Sequence, residues 1–192
     1  MTDANLKVLI AYGTCFGSTA GTAEEIGKVL VEEGFEVKLA NLKEEKIQDL
    51  SEYNVVVVGS GMKMGHWVSE AEDFLKKFQS EFNGKKLAIF ASTLKTAAER
   101  EGKTGQVAKI RKAALEDKAT KYHLEPIALG FFGGVLDYNK MGFFERKAMG
   151  LYKPQLERDG FKETRPGIYD LRDWNEIKNW AEELAQKAKE QG

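Results

Sequence analysis

Between an apolar run and an amphipathic stripe, the stretch "YGTCFGSTAGTAEEI" (Tyr12–Ile26) sets the small hydroxyl residues Thr14, Ser18 and Thr19 among Gly13, Gly17 and Gly21. No Lys or Arg occurs between Lys7 and Lys28. Such a loop suits the holding of an anion. Backbone N–H groups and hydroxyls donate at the positive end of a helix, and Gly17 lets the backbone come close. A site of this kind needs no cationic side chain. Cys15 and Phe16 complete the loop. With no His nearby in sequence, Cys15 reads as a small loop residue rather than a nucleophile. Two other phosphate loops fail. The nucleotide-hydrolase pattern requires a Lys before its Ser/Thr, and Gly13, Gly17 and Gly21 miss the dinucleotide spacing. "GSGMKMG" (Gly59–Gly65) comes nearer that spacing but follows the third apolar run, not the first. A plain helix cap by Ser18 or Thr19, with Glu24 or Glu25 offsetting the dipole, accounts for the first loop equally well.

Three further stretches carry related chemistry. "SGMKMGHWVSE" (Ser60–Glu70) places Met62, Lys63, Met64, Gly65, His66 and Trp67 together. Thioethers and a flat indole suit a planar aromatic ligand. Trp67 as a staple between helix and sheet is the competing use. "ASTLKTAAE" offers Ser92, Thr93 and Leu94, and "GFFGGVLDY" offers Phe132, Gly133 and Gly134, whose glycines permit close backbone approach. A phosphate at the first loop and a flat ring among the others point jointly to flavin mononucleotide (FMN). A flavin carries its own redox chemistry, so no triad or obligatory base is expected. Lys63 and His66 are the candidates to stabilise negative charge on the reduced ring, with simple solvation as the alternative for each.

These loops need elements to hold them. "KVLIAY", "EVKLANL", "NVVVVGS", "KLAIFAS" and "PIALGFF" read as strands, being short, apolar and rich in β-branched or aromatic residues. Val55–Val58 is continuous, as suits a strand covered on both faces, while "EVKLANL" alternates as an edge does. Helical stripes fall between them: Ala20, Ala23, Ile26, Gly27, Leu30 and Val31; Val68, Ala71, Phe74, Leu75 and Phe78; a weaker one from Thr104 to Ala119; and Trp174, Ile177, Ala181, Leu184 and Ala188, capped by Asp173. One short helix is expected within "NLKEEKIQDLSEY". Alternation of strand and helix favours an α/β fold with a parallel sheet, whose ligand loops lie at the strands' carboxyl ends. Residues 133–170 lack clear periodicity and read as an insertion controlling access. Within it Met141, Phe144, Ala148, Leu151 and Tyr152 are expected to share one face, over the flavin, on the sheet edge, or against a partner or membrane.

The 192 residues are most simply one domain, residues 1–192. With 29 basic and 30 acidic residues there is no pull toward nucleic acid. The single cysteine excludes an internal disulfide and a cysteine metal cage, and no metal site is expected. The amino-terminal stretch lacks the pattern of a signal peptide, and no apolar run approaches the ~20 residues of a membrane span. A cytoplasmic location is expected.

The chain resembles the flavodoxin-like proteins. "GTCFGST" is similar to their phosphate turn at Thr14, Gly17 and Thr19. More closely, it resembles the menaquinone-dependent protoporphyrinogen dehydrogenase branch, in "VVVVGSGMKMGHW", "FASTLK", "FFGGVLDYNKMGFFERKAM" and "YDLRDWNEIKNWAEEL". The resemblance implies a flavodoxin-like three-layer sandwich of strand order 2-1-3-4-5, with FMN where strands 1 and 3 diverge. It places Thr14 to Thr19 on the phosphate and Met62 to Trp67 along one side of the ring. Ser92 to Leu94 would meet the ring or ribityl chain, and Phe132 to Gly134 would close the site. It further implies an oxidoreductase passing electrons to a quinone or a redox partner protein. The substrate would be a porphyrinogen or another reduced small molecule, and peripheral membrane contact would accompany it. A flavodoxin-type electron carrier without its own substrate is the alternative.

Overall fold

The computed structural model describes residues 6–15 and 17–190. In chain order the first half comprises β1 (Lys7–Gly13), α1 (Ser18–Glu32), β2 (Glu36–Asn41), β3 (Val55–Lys63), β4 (His66–Trp67) and α2 (Ser69–Lys77). There follow β5 (Lys86–Thr93), α3 (Lys95–Arg100), α4 (Thr104–Ala114), α5 (Glu116–Lys121) and β6 (Ala128–Gly133). The long strands are all parallel and lie in the order β2-β1-β3-β5-β6, so that counting them alone gives 2-1-3-4-5. β4 merely folds back on the end of β3. Val8 stands beside Val55, and Val58 beside Ile89.

The pleat explains the valine run. Val55 and Val57 enter one core with Ala23, Ile26 and Leu30 of α1 and with Ile177, Ala181 and Leu184 of α8 (Trp174–Lys189). Val56 and Val58 enter the other with Ala71, Phe74 and Leu75 of α2 and Val107 and Ala114 of α4. Each Val, Leu, Ile or Phe side chain among these, once buried, contributes roughly 1.5–3 kcal/mol. β2 is an edge strand, largely exposed, as its alternation predicts. The Asp173 carboxylate caps α8, accepting from the Asn175 and Glu176 amides at 2.9 and 3.1 Å.

Three expectations on the elements are corrected. The stripe of α1 stops at Leu30, since Val31 faces solvent. The Thr104–Ala119 stripe breaks at the fully buried Leu115, which separates α4 from α5. No helix forms between Asn41 and Tyr53. There, groups from outside meet the backbone: Lys77 Nζ donates to the Ile47 carbonyl (2.8 Å), Lys85 Nζ to the Tyr53 carbonyl (2.7 Å), and the Leu50 amide to Glu81 (3.2 Å). Ile47, Leu50 and Tyr53 are buried as anchors instead.

Residues 133–170 are not a structureless loop. They comprise β7 (Val135–Asp137), a 3-10 turn (Tyr138–Lys140), α6 (Phe143–Gly150), α7 (Lys153–Arg158) and β8 (Ile168–Asp170). β7 pairs antiparallel with β8, and Leu136, Tyr138, Met141, Leu156, Tyr169 and Leu171 pack into a small core of their own. The Tyr138 hydroxyl donates to the Met149 carbonyl at 2.9 Å. Burial, with Glu157 beside it, pushes the Tyr169 phenol up to about 12. The expected common face of Met141, Phe144, Ala148, Leu151 and Tyr152 is not formed. Met141 precedes α6 and turns inward, Leu151 and Tyr152 follow its end, and Phe144, Leu151 and Tyr152 are exposed. They do not share one helix.

Candidate functional site

The loop leaving β1 is shaped by its own side chains. The Thr14 hydroxyl accepts the Gly17 N–H at 2.9 Å, and Gly17 turns the chain into α1 in the left-handed region, at φ +92°, where a Cβ is strained. α1 then begins without any side-chain cap and without an acidic residue in its first turn. Ser18 and Thr19 therefore do not serve as caps. The first amides of the helix are left for an outside acceptor, at the positive end of the dipole. Thr19 is wholly buried, yet its Oγ1 has no hydrogen-bond partner. That oxygen lies 3.0 Å from where a Cβ on Gly61 would stand, and the Cys15 amide nitrogen lies 3.6 Å from the same point. Any side chain at Gly61 would fill the space between them. Phe16 lies outside the described residues.

The second wall comes from β3 and its hairpin. Ser60 Oγ donates to the Gly61 carbonyl (2.9 Å) and accepts the Val68 amide (3.1 Å), which fixes the bend after the strand. Met64 and Gly65 both have positive φ, +50° and +82°, the geometry of a tight two-residue hairpin turn. The turn thrusts Met64 into solvent at 90% exposure. Lys63 pairs with Glu145 of α6 at 3.3 Å, spanning from this hairpin to the insertion.

Between these walls is a cavity of about 470 Å³. Cys15, Ser18, Met62, Lys63, Met64, Gly65, Ser92, Thr93, Leu94 and Gly134 line it among the residues expected from sequence. Ser92 is buried and its Oγ, like that of Thr19, has no partner. Met62, Met64, Met141 and Met149, every methionine but Met1, face this one space. Burial pushes the Cys15 thiol up, with Lys63 opposing, so it is a neutral thiol rather than a nucleophile at neutral pH. Among the described residues no group of three or more His, Cys, Asp and Glu side chains could hold a metal ion.

Some expected residues are elsewhere. Trp67 is in the core, its indole N–H donating to the Ala114 carbonyl at 2.9 Å, so it staples β4 to α4 and does not line the cavity. The reason is the hairpin: Trp67 pairs with Met62 and the alternation turns it inward. His66 is exposed and away from the lining. Phe132 packs on Phe90 and Trp180 against α8, on the far face of the sheet. Gly133 is glycine for space, because a Cβ would stand 2.1 Å from the Leu171 carbonyl oxygen. Thr14, Gly17 and Thr19 shape the loop without lining the cavity. The lining also includes Gly61, Ile110, Val135, Leu136, Glu145, Ala148 and Met149. The insertion supplies most of these, and its clustered methionines were the available signal.

A larger depression of about 830 Å³ lies at the amino ends of the strands. There Lys86 meets the last carbonyls of α8, and no buried polar atom is left without a partner among its lining residues. The unmatched hydroxyls of Thr19 and Ser92 belong to the other end.

A family model for the flavodoxin domain matches residues 9–162. The chain belongs to the flavodoxin domain family. This flavodoxin-family chain is 25% identical over 180 residues to "Protoporphyrinogen IX dehydrogenase [quinone]" of Escherichia coli (strain K12), covering 94% of this chain and 95% of that protein. The protein of the same name from Leishmania major is 24% identical over 188 residues, 96% of this chain and 77% of its own length. Among solved structures, a short-chain flavodoxin associated with a bacterial microcompartment superposes with a TM-score of 0.57 at 16% identity, covering 95% and 99% of the two chains. A flavodoxin from the domain Archaea gives 0.54 at 18% identity, covering 96% and 100%. These likenesses establish the flavodoxin-like fold. Among the described residues no helix is long and apolar enough to cross a membrane.

Proposed function

We propose that the chain is an FMN-dependent oxidoreductase that dehydrogenates a reduced, apolar small molecule of the porphyrinogen kind and delivers the electrons to a quinone. The observation that carries this reading is a cavity at the sheet edge that is lined by the unmatched buried hydroxyl of Ser92 and by Met141 and Met149 of the insertion, next to the loop in which the Thr19 hydroxyl is unmatched. The residues fit FMN. Uncapped amides of α1 with the Thr19 hydroxyl suit a phosphate, and the Ser92 hydroxyl beside apolar walls suits the polar edge of a ring system.

Bound FMN supplies the redox chemistry. The chain's residues bind, orient and exclude water. Thr14 holds the loop open for the phosphate; Thr19 and the first amides of α1 donate to it. Met62, Met141 and Met149 form a deformable apolar wall against a flat face. Lys63 and Glu145 bridge the hairpin and α6 across the lining. In balance, each round takes two hydrogens from the substrate and one quinone takes them up as quinol, so a porphyrinogen, which loses six hydrogens in becoming a porphyrin, consumes three quinones. The curated relatives whose names specify a quinone support this acceptor. So do Phe143, Phe144, Leu151 and Tyr152 of the insertion, large side chains exposed to solvent, which suit a lipid-borne acceptor and peripheral membrane contact.

The insertion's wall favours an enzyme over a plain electron carrier, which needs only an exposed ring edge and a docking face. The deciding experiment is anaerobic turnover of protoporphyrinogen by the FMN-loaded chain with a soluble quinone. Quinone-dependent porphyrin formation is expected. Reduction and reoxidation by a redox protein with no porphyrin formed would give the carrier reading instead.

A further inference from the structure

At Met64 residue type and place disagree. It opens the two-residue turn between β3 and β4 at φ +50°, in the left-handed region that Gly, Asn and Asp enter most readily. Packing does not call for a methionine there either. The residue is 90% exposed, more than any other large hydrophobic residue described. What the position has is a thioether at the rim of the cavity, which Met64 lines. The other sulfur atoms of that cavity are less open to attack. Met62 and Met149 are half-buried, and Met141 is buried. Cys15 is exposed, but desolvation keeps its thiol protonated at neutral pH, and peroxide attacks the thiolate. A thioether has no proton to lose.

We propose that Met64 is an oxidation site for hydrogen peroxide, and that its sulfoxide loosens the cavity's hold on a flat ring. The second half rests on the FMN reading above. In the step, a lone pair of the Met64 sulfur attacks one peroxide oxygen, the O–O bond breaks, and the other oxygen leaves as water. Sulfur is oxidised by two electrons and the peroxide is reduced by two. A flexible apolar side chain, free to lie over a ring, becomes a polar and chiral one. The tip of a hairpin is within reach of methionine sulfoxide reductases, so the change is reversible.

The test takes the wild type, Met64→Leu and Met64→Gln through graded hydrogen peroxide. Trypsin puts Met62, Met64, Met141 and Met149 in four different peptides, so mass spectrometry reads each sulfoxide separately. Met64 should be oxidised first, and saturating FMN should slow its oxidation by covering the thioether. FMN and riboflavin are then titrated into flavin-free protein by fluorescence quenching. Full oxidation at Met64 should weaken both flavins roughly two- to tenfold, the range that a sulfur–aromatic contact spans. Met64→Gln should show the same weakening without peroxide. Met64→Leu should keep through the treatment whatever affinity it starts with, and methionine sulfoxide reductases should restore the oxidised wild type. Earlier oxidation of Met62, Met141 or Met149 would overturn the proposal. So would flavin affinities unmoved by a fully oxidised Met64, or an equal loss in Met64→Leu. An untreated wild type that binds neither flavin would overturn the FMN reading and the proposal with it.

Discussion

Thr19 is where the chain sets folding against binding. Its hydroxyl is buried without a partner, a state that costs about 1–3 kcal/mol relative to an apolar group of the same shape. Thr19→Val keeps the shape and removes the hydroxyl. Without flavin the variant should gain about 1 kcal/mol, or roughly 2–4 °C in Tm for a chain of this size. With flavin it should lose a hydrogen bond to a charged group, about 1.5–3 kcal/mol, which weakens FMN roughly ten- to a hundredfold. At FMN about 100 times the wild-type Kd, binding adds about 2.7 kcal/mol to the wild type. The same concentration adds only about 0.4–1.4 kcal/mol to the variant. The order of melting temperatures therefore inverts: the variant melts above the wild type alone and below it with FMN. Thermal unfolding of both proteins with and without FMN reads this directly. A variant less stable than the wild type without FMN, or raised by FMN as much as the wild type, would refute the reasoning.

Trp67→Phe should leave FMN affinity within twofold while costing about 1–3 kcal/mol in urea unfolding, because the buried Ala114 carbonyl loses its donor; a large loss of FMN affinity would return Trp67 to the flavin. Gly133→Ala should destabilise by at least about 1–3 kcal/mol, since its Cβ would press on the Leu171 backbone oxygen, which cannot swing aside as a side chain would; unchanged denaturant midpoints would contradict the packing. Glu72 gives the pH dependence. Burial resists its ionisation, but hydrogen bonds from Lys121, Tyr122 and Lys118 prevail and hold its carboxyl at about 2 instead of 4.5. A folded-state pKa below the unfolded one makes its contribution full above pH 4.5 and lost as pH falls toward 2. After allowance for solvent screening this is about 1 kcal/mol, so Glu72→Gln should flatten the stability profile across that window; equal slopes in the two proteins would count against the cluster.

The parts legible in the sequence are those where a local pattern and the global fold demand the same thing. A sheet covered on both faces requires unbroken apolar strands, and Val55–Val58 is one. A helix needs a start, and Asp173 provides the cap that its residue type promises. The loop after β1 is legible as a tight turn into α1, because Gly17 takes the left-handed conformation that a glycine accepts without strain. The directions of Trp67 and Phe132 are not legible, for a different reason. Being next to a site in sequence does not fix a side chain's direction, and each is turned into a core by strand alternation. The segment before β3 is not legible in its own sequence, because its backbone is met by Lys77, Lys85 and Glu81, residues distant from it.

The insertion was legible as an insertion and opaque as a structure. Its elements are too short to show a period: β7 and β8 have three residues each and α7 has six. What holds them is a core shared among Leu136, Met141, Leu156 and Tyr169, contacts that no sequence window spans. The same arrangement alters what the insertion is for. A lid that only admitted substrate could be cut away with the cofactor still seated. Here the insertion supplies Leu136, Met141 and Met149 to the cavity wall and Glu145 to the bridge with Lys63. Its removal would open the cavity along one side. On the proposed reading, access and binding fall to the same few residues, and a change to the roof alters the cavity beneath it.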